Sequence, residues 1–144
     1  MLIYERAVHF EEVDAAQILF FARFLGYCHE AMEALFAPLE GGYAHLVTKR
    51  KIGLPAVHVE IDFRSPLRYG ESVRIGVEVT KIGTKSCTLH YVGNRLSDGG
   101  CIAEVTHTCV LSDLVALRGI PIPADVRAIL EAHLVVAQEI VGRT

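Results

Sequence analysis

The chain has 144 residues, 51% of them hydrophobic, a formal net charge of -3 and a mean hydropathy of +0.35. That length fits one domain with room for a core, and the acidic balance argues against nucleic acid as a partner. No stretch reaches the ~20 apolar residues of a membrane span, so a membrane partner is not expected either.

The apolar excess predicts that another subunit covers part of the surface. Residues 1–10 lack the basic-then-apolar order of a signal peptide. Cys28, Cys87, Cys101 and Cys109 form no CxxC pair, and Cys101 and Cys109 lie too far apart along one strand to bridge. Reduced thiols and a cytoplasmic protein are expected.

Residues 2–10 alternate loosely, with the aromatic and β-branched content of a strand. EEVDAAQ follows, breaks both periodicities and reads as a loop. From Phe21 onward, Phe24, Leu25, Cys28, Met32 and Leu35 recur at helical spacing, and Pro38 with Gly41-Gly42 closes the helix. Gly26 costs that helix about 1 kcal/mol against Ala, so a close backbone approach is expected there. Residues 43–54 read as a short helix or turn and a loop.

Val57, Val59, Ile61 and Phe63 alternate with polar residues as a half-buried strand, and Val73, Ile75, Val77 and Val79 repeat the pattern. Residues 86–96 and 101–111 complete a run of four strands. Matching apolar faces across Asp98-Gly99-Gly100 favours a three-residue loop, with Cys109 opposite Leu89, Leu111 opposite Cys87 and Gly100 left-handed. Ile120-Pro121-Ile122-Pro123 leads to a helix over 124–141, striped by Val126, Ile129, Leu130, His133, Leu134 and Ala137. The order of strand, long helix, four antiparallel strands and helix is α+β. It predicts a single domain over 1–144 whose curved sheet buries one face on the long helix.

Asp14 is the first candidate for chemistry. It lies just ahead of a helix whose first-turn N–H groups lack intrahelical partners and carry partial positive charge. A carboxylate beside such donors is what acyl transfer requires: one group attacks or activates water, the other stabilises the oxyanion. The same residue type also caps turns and helices, and spacing leaves both roles open. The seven histidines show no HExxH pattern or other ligand spacing, so no metal is expected. GxSxG, GxGxxG and P-loop motifs are absent. Turn cations, among them Lys81 and Lys85, could hold a phosphorylated group or simply be solvated.

VHFEEVDAAQILFFARFLGYCHEAMEAL resembles the entry motif of the 4-hydroxybenzoyl-CoA thioesterase family of hotdog-fold proteins. GLPAVHVEIDFRSPLRYGESVRIGVEVTKIGTKS resembles that family's second and third strands, and the likeness covers about residues 5–127. The resemblance implies a sheet wrapped around a central helix, edge-to-edge homodimers often paired into homotetramers, and active sites at the dimer interface. It implies hydrolysis of an acyl-CoA or aroyl-CoA thioester without metal or cofactor, coenzyme A being part of the substrate. The catalytic carboxylate falls on Asp14, as nucleophile or general base, and the carbonyl-polarising backbone N–H falls on Phe21. Gln17 stands where the family often has Gly and would line or crowd the substrate pocket. His58 would approach Asp14 across the dimer, and Lys81 and Lys85 would meet the CoA phosphates.

Some related enzymes carry their carboxylate on the central helix, which makes Glu30 or Glu33 the alternative. A hotdog hydratase or dehydratase, or a non-catalytic acyl-CoA-binding hotdog protein, are the competing functions.

Overall fold

In the computed structural model, which describes residues 1–135, these periodicities resolve into strands and helices. In chain order they are β1 (Leu2–Ala7), α1 (Arg23–Leu35), α2 (Gly42–Thr48), β2 (Ile52–Gly53), β3 (Ala56–Phe63), β4 (Ser72–Ile82), β5 (Ser86–Arg95), β6 (Cys101–Val110), β7 (Ser112–Asp113), β8 (Arg118–Gly119) and α3 (Ala124–Ala132). A five-stranded antiparallel sheet has the order β1-β4-β5-β6-β3, and β2-β7-β8 form a small second sheet. Register shifts in the β3–β6, β4–β5 and β5–β6 pairings mark bulges, which bend strands and raise twist.

The core lies between α1 and this sheet. Phe24, Tyr27, Cys28, Ala31, Met32 and Leu35 on α1 are buried in one cluster with Val73, Ile75, Val77 and Val79 of β4 and Leu89 and Tyr91 of β5. Leu25, expected on the apolar stripe, is 40% exposed because it looks into an open groove between α1 and β3. β3, at the edge of the sheet, is barely buried: Val57, Val59 and Phe63 are 61%, 40% and 49% exposed. None of the described helices is long and apolar enough to cross a membrane.

Three expectations about local geometry are corrected. The β5–β6 faces match as expected, but the register is shifted by two residues: Cys87 pairs with Cys109 and Leu89 with His107. A strand repeats every two residues, so face matching cannot distinguish registers two apart. The connection spans residues 96–100, and Gly99 (φ +74°) rather than Gly100 is left-handed. Asp98 fixes it by accepting hydrogen bonds from the Gly100 N–H (2.9 Å) and the Arg95 guanidinium (3.1 Å).

The last helix ends at Ala132, and His133 and Leu134 leave the expected stripe. β1 covers β4 only as far as Val77; beyond it, the Val79 N–H donates to the His133 carbonyl (3.0 Å) and the Val135 N–H donates to the Val79 carbonyl (2.9 Å). Satisfying that strand edge outweighs further helix there. Ala137 and the rest of the expected helix lie outside the described residues.

The close approach expected at Gly26 occurs elsewhere. A Cβ on Gly26 meets nothing within 4 Å, whereas one on Gly93 stands 2.7 Å from Phe24 Cζ and 3.3 Å from Val73 Cγ2. Gly93→Ala should therefore cost about 1–3 kcal/mol through overpacking, while Gly26→Ala should gain up to about 1 kcal/mol of helix propensity. Chemical denaturation of the two variants checks both signs.

Candidate active site

Asp14 opens a tight turn between Val13 and Leu19, which bridge each other. The Asp14 N–H donates to the Ile18 carbonyl (3.0 Å) and the Gln17 N–H to the Asp14 carbonyl (2.9 Å). The carboxylate Oδ1 accepts the Ala16 N–H at 2.8 Å, so Asp14 does cap its own turn, as short Asx side chains do. Asp14 remains exposed, and that single bond fixes its direction while leaving Oδ2 available.

Gln17 closes the turn with φ +60°, in the left-handed region. This accounts for the glycine that the resembled family often carries here: the backbone conformation, not the pocket, asks for it. A side chain pays roughly 1 kcal/mol in that region.

Two sets of bonds hold the turn. On one side the Leu19 N–H donates to the Leu67 carbonyl (2.7 Å) and the Tyr69 N–H to the Gln17 carbonyl (3.1 Å). On the other, the Phe20 N–H donates to the Glu12 carbonyl (3.0 Å). The Glu12 side chain is buried and saturated: it accepts from Arg6 Nη1 (2.6 and 2.7 Å), the Tyr27 hydroxyl (2.7 Å) and the His9 N–H (2.8 Å). The Arg6 guanidinium also lies 3.8 Å from the centre of the Tyr27 ring. Burial pushes the Glu12 carboxyl up, but the Tyr27 hydroxyl, the His9 N–H and Arg6 outweigh it, and the group stays below the ordinary carboxylate range. Burial and the Glu12 hydrogen bond both raise Tyr27, keeping its proton in place as a donor.

A cavity of about 320 Å³ opens beside the turn, lined by Ile18, Phe21, Phe24, Phe63, Arg64 and Leu67 among others. Its lining brings the first turn of α1 to the end of β3. The Phe20 and Phe21 carbonyls accept the Arg23 and Phe24 N–H groups (2.9 and 3.4 Å), but the Phe21 N–H has no acceptor among the described residues. Residues 14–21 thus carry a carboxylate at one end and an unused N–H at the other, and Ile18, Leu19 and Phe21 of this segment line the apolar cavity with Arg64.

Gln17 closes the turn that Asp14 opens, Phe21 lines the cavity beside that turn, and His58, Lys81 and Lys85 lie elsewhere in the protomer. His58 stands on the face of β3 opposite Val59, with Nε2 3.1 Å from Glu60 Oε1. Ser72, where β4 begins, pairs with Ala7 near the turn, and Lys81 is nine residues further along that strand, about 30 Å away. Lys85 follows on the next turn, so neither lysine approaches Asp14 within one protomer. Arg64, on the cavity, and Arg68, which bridges to Ile18, are the cations beside the site. The alternative carboxylates are engaged: Glu30 accepts from the Tyr4 hydroxyl (2.6 Å) and Arg6 Nε (3.1 Å), and Glu33 lies 3.2 Å from His29 Nε2. The Arg6–Glu12–Tyr27 cluster escaped the sequence reading; its one visible trace is a tyrosine hydroxyl on an otherwise apolar helix face.

Residues 8–130 match the family model described as the thioesterase-like superfamily. The chain belongs to that superfamily. The hotdog thioesterase fold and a thioester hydrolase follow for this chain. A 1,4-dihydroxy-2-naphthoyl-CoA hydrolase of Thermosynechococcus vestitus is 31% identical over 130 residues, covering 90% of this chain and 88% of that one. The protein of the same name from Trichodesmium erythraeum is 36% identical over 113 residues, covering 74% and 80%. Among solved structures, a thioesterase superfamily protein from Jannaschia sp. CCS1 superposes with a TM-score of 0.84 at 27% identity, covering 93% of each chain. A gentisyl-coenzyme A thioesterase gives 0.78 at 28% identity, covering 88% of this chain and 99% of that one.

Two stability predictions follow from the turn of this thioesterase. Gln17→Gly should stabilise it by up to about 1 kcal/mol by relieving the left-handed backbone, less what glycine adds to the unfolded entropy. The folded Glu12 carboxyl sits below its unfolded value, so its contribution is present above the unfolded pKa and lost as pH falls through the folded one. Glu12→Gln should therefore cost roughly 2–4 kcal/mol near neutral pH and progressively less below about pH 4. Urea denaturation of wild type and variant across that range measures the convergence.

Proposed function

We propose that this thioesterase hydrolyses an aroyl-CoA, with Asp14 as nucleophile or general base and the Phe21 N–H as the oxyanion donor. The observation that supports the reading is an unaccepted Phe21 N–H on the wall of an apolar cavity, with the exposed, singly bonded Asp14 carboxylate on the turn whose Ile18 and Leu19 line that same cavity.

The chemistry needs little more. Asp14, or water deprotonated by it, attacks the thioester carbonyl carbon. The carbonyl oxygen gains the charge and takes the Phe21 N–H, and the C–S bond breaks as the oxyanion collapses. If Asp14 attacks directly, water then hydrolyses the resulting anhydride. The leaving thiol has a pKa near that of free cysteine, about 8.5, so it departs as thiolate without a dedicated acid. One well-placed oxyanion donor is worth about 3 kcal/mol in other enzymes.

The relatives' names support a hydroxylated aromatic acyl group, and the resemblance to the 4-hydroxybenzoyl-CoA branch points the same way. Phe21, Phe24 and Phe63 around the cavity suit a ring. Arg64 and Arg68 are the nearer cations for the CoA phosphates; Lys81 and Lys85 would need another subunit to bring them in. We assign a homodimer or homotetramer built through β3, whose unpaired edge and exposed Val57, Val59 and Phe63 are what a second copy would cover. That pairing would also decide whether His58 reaches a neighbouring site. Four free cysteines fit a cytoplasmic setting.

Asp14→Asn should lower kcat for thiol release from a panel of aroyl-CoAs by at least about a thousandfold, with oligomer mass and melting temperature unchanged. Retention of most activity would remove Asp14 from the mechanism.

A further inference from the structure

The groove between α1 and β3 holds a second cavity of about 150 Å³, lined by Leu25, Cys28, His29, Val59, Tyr91, Val105 and His107. Its walls continue those of the first. Phe21 and Phe24 give way to Leu25 and Cys28 one helical turn along α1, about 6 Å away. Phe63 gives way to Val59 four residues back along β3, about 13 Å away, and Ile102 to Val105 along β6. The first cavity alone is at the small end of the ~300–1,000 Å³ range of ligand sites. An acyl group with its carbonyl at Phe21 that outgrows the first cavity has this groove to grow into.

The second cavity is apolar except for His29 on its α1 wall and the Tyr91–His107 pair on its sheet wall. There the Tyr91 and His107 rings stack, with centroids 6.1 Å apart and planes at 27°, and the Tyr91 oxygen lies 3.3 Å from His107 Nδ1. His107 Nε2 meets only the Cys109 sulfur, at 3.1 Å. Burial, with His29 nearby, lowers His107, so its imidazole is neutral, and burial raises Tyr91, so its hydroxyl keeps the proton. The ring's single N–H sits on Nδ1 or Nε2, and the Cys109 thiol is a weak partner for Nε2 in either form. A neutral imidazole on the wall of a largely apolar slot selects a neutral hydroxyl, which can donate or accept, over a carboxylate.

We propose that this cavity is a distal acyl subsite in which His107 hydrogen-bonds a hydroxyl on the part of the acyl group remote from the thioester. The assignment rests on the aroyl-CoA reading above and adds to it a two-ring acyl class, hydroxylated on the far ring. His107 then acts as a specificity residue, with the stacked and hydrogen-bonded Tyr91 orienting its ring.

The test compares naphthoyl-CoA with its far-ring hydroxy analogue, and the two free acids as ligands in titration calorimetry. Wild type should favour the hydroxylated member about tenfold in kcat/KM and in affinity of the free acid. His107→Leu should bring both ratios to within about twofold of unity, and His107→Gln, which keeps an N–H donor, should restore part of each. A preference that survives in His107→Leu, or its absence in wild type, overturns the subsite. If neither thioester is hydrolysed but the acids still show the His107-dependent preference, the subsite stands and the aroyl-CoA reading falls. Circular dichroism of both variants confirms that the ratios come from folded protein.

Discussion

A buried carboxylate bonded to a guanidinium and a phenol is the constraint on which the candidate site depends. Glu12 comes two residues before Asp14, Arg6 lies on β1, and Tyr27 lies inside α1. Their mutual bonds tie the first strand, the Asp14 turn and the central helix into one unit. Breaking a buried pair by removing one member leaves an uncompensated charge, typically at a cost of 3–5 kcal/mol, so the three segments shift together or not at all. The Glu12 main chain shares the task, because its carbonyl takes the N–H of Phe20, the residue just before the free donor.

The cluster also explains a division of labour among the acidic residues of residues 11–33. Glu12 and Glu30 are consumed in holding Arg6, and Glu33 faces His29 at the surface. Asp14 keeps Oδ2 unbonded on the turn whose Ile18 and Leu19 line the cavity. A carboxylate that is exposed in one protomer needs a lower-dielectric surrounding to be an efficient catalyst, and the bare edge of β3 is where a second copy would supply it. Site and subunit contact are in this sense one problem: the groove that makes Leu25 and Val59 exposed also runs from the start of α1 towards His107.

Much of this was legible in the chain. Helical spacing fixed α1 to within two residues, and period-two alternation located β3, β4, β5 and β6. Asp14 stood out by its place ahead of the helix and Phe21 by motif resemblance; in the structure Phe21 lines the cavity with its N–H unused, and Asp14 lies on the turn beside it. Other features were not legible. Lys81 and Lys85 lie far along β4 from the Asp14 turn within one protomer, and a turn cation carries no mark of which end of the sheet its turn occupies. Alternation gives His58 one of two faces of β3 without saying which one meets a neighbouring subunit. Gln17 read as a pocket residue, whereas its left-handed backbone makes it first a turn residue.

By itself, the sequence determined which segments are strands and helices, which faces are apolar, and that an aspartate precedes the central helix, because these follow from local periodicity and residue chemistry. Only the tertiary structure decided the β5–β6 register, the early end of α3, the Arg6–Glu12–Tyr27 cluster and the two-cavity groove. Each of those depends on which partner satisfies a backbone edge or a buried charge, and that partner lies six to more than fifty residues away along the chain.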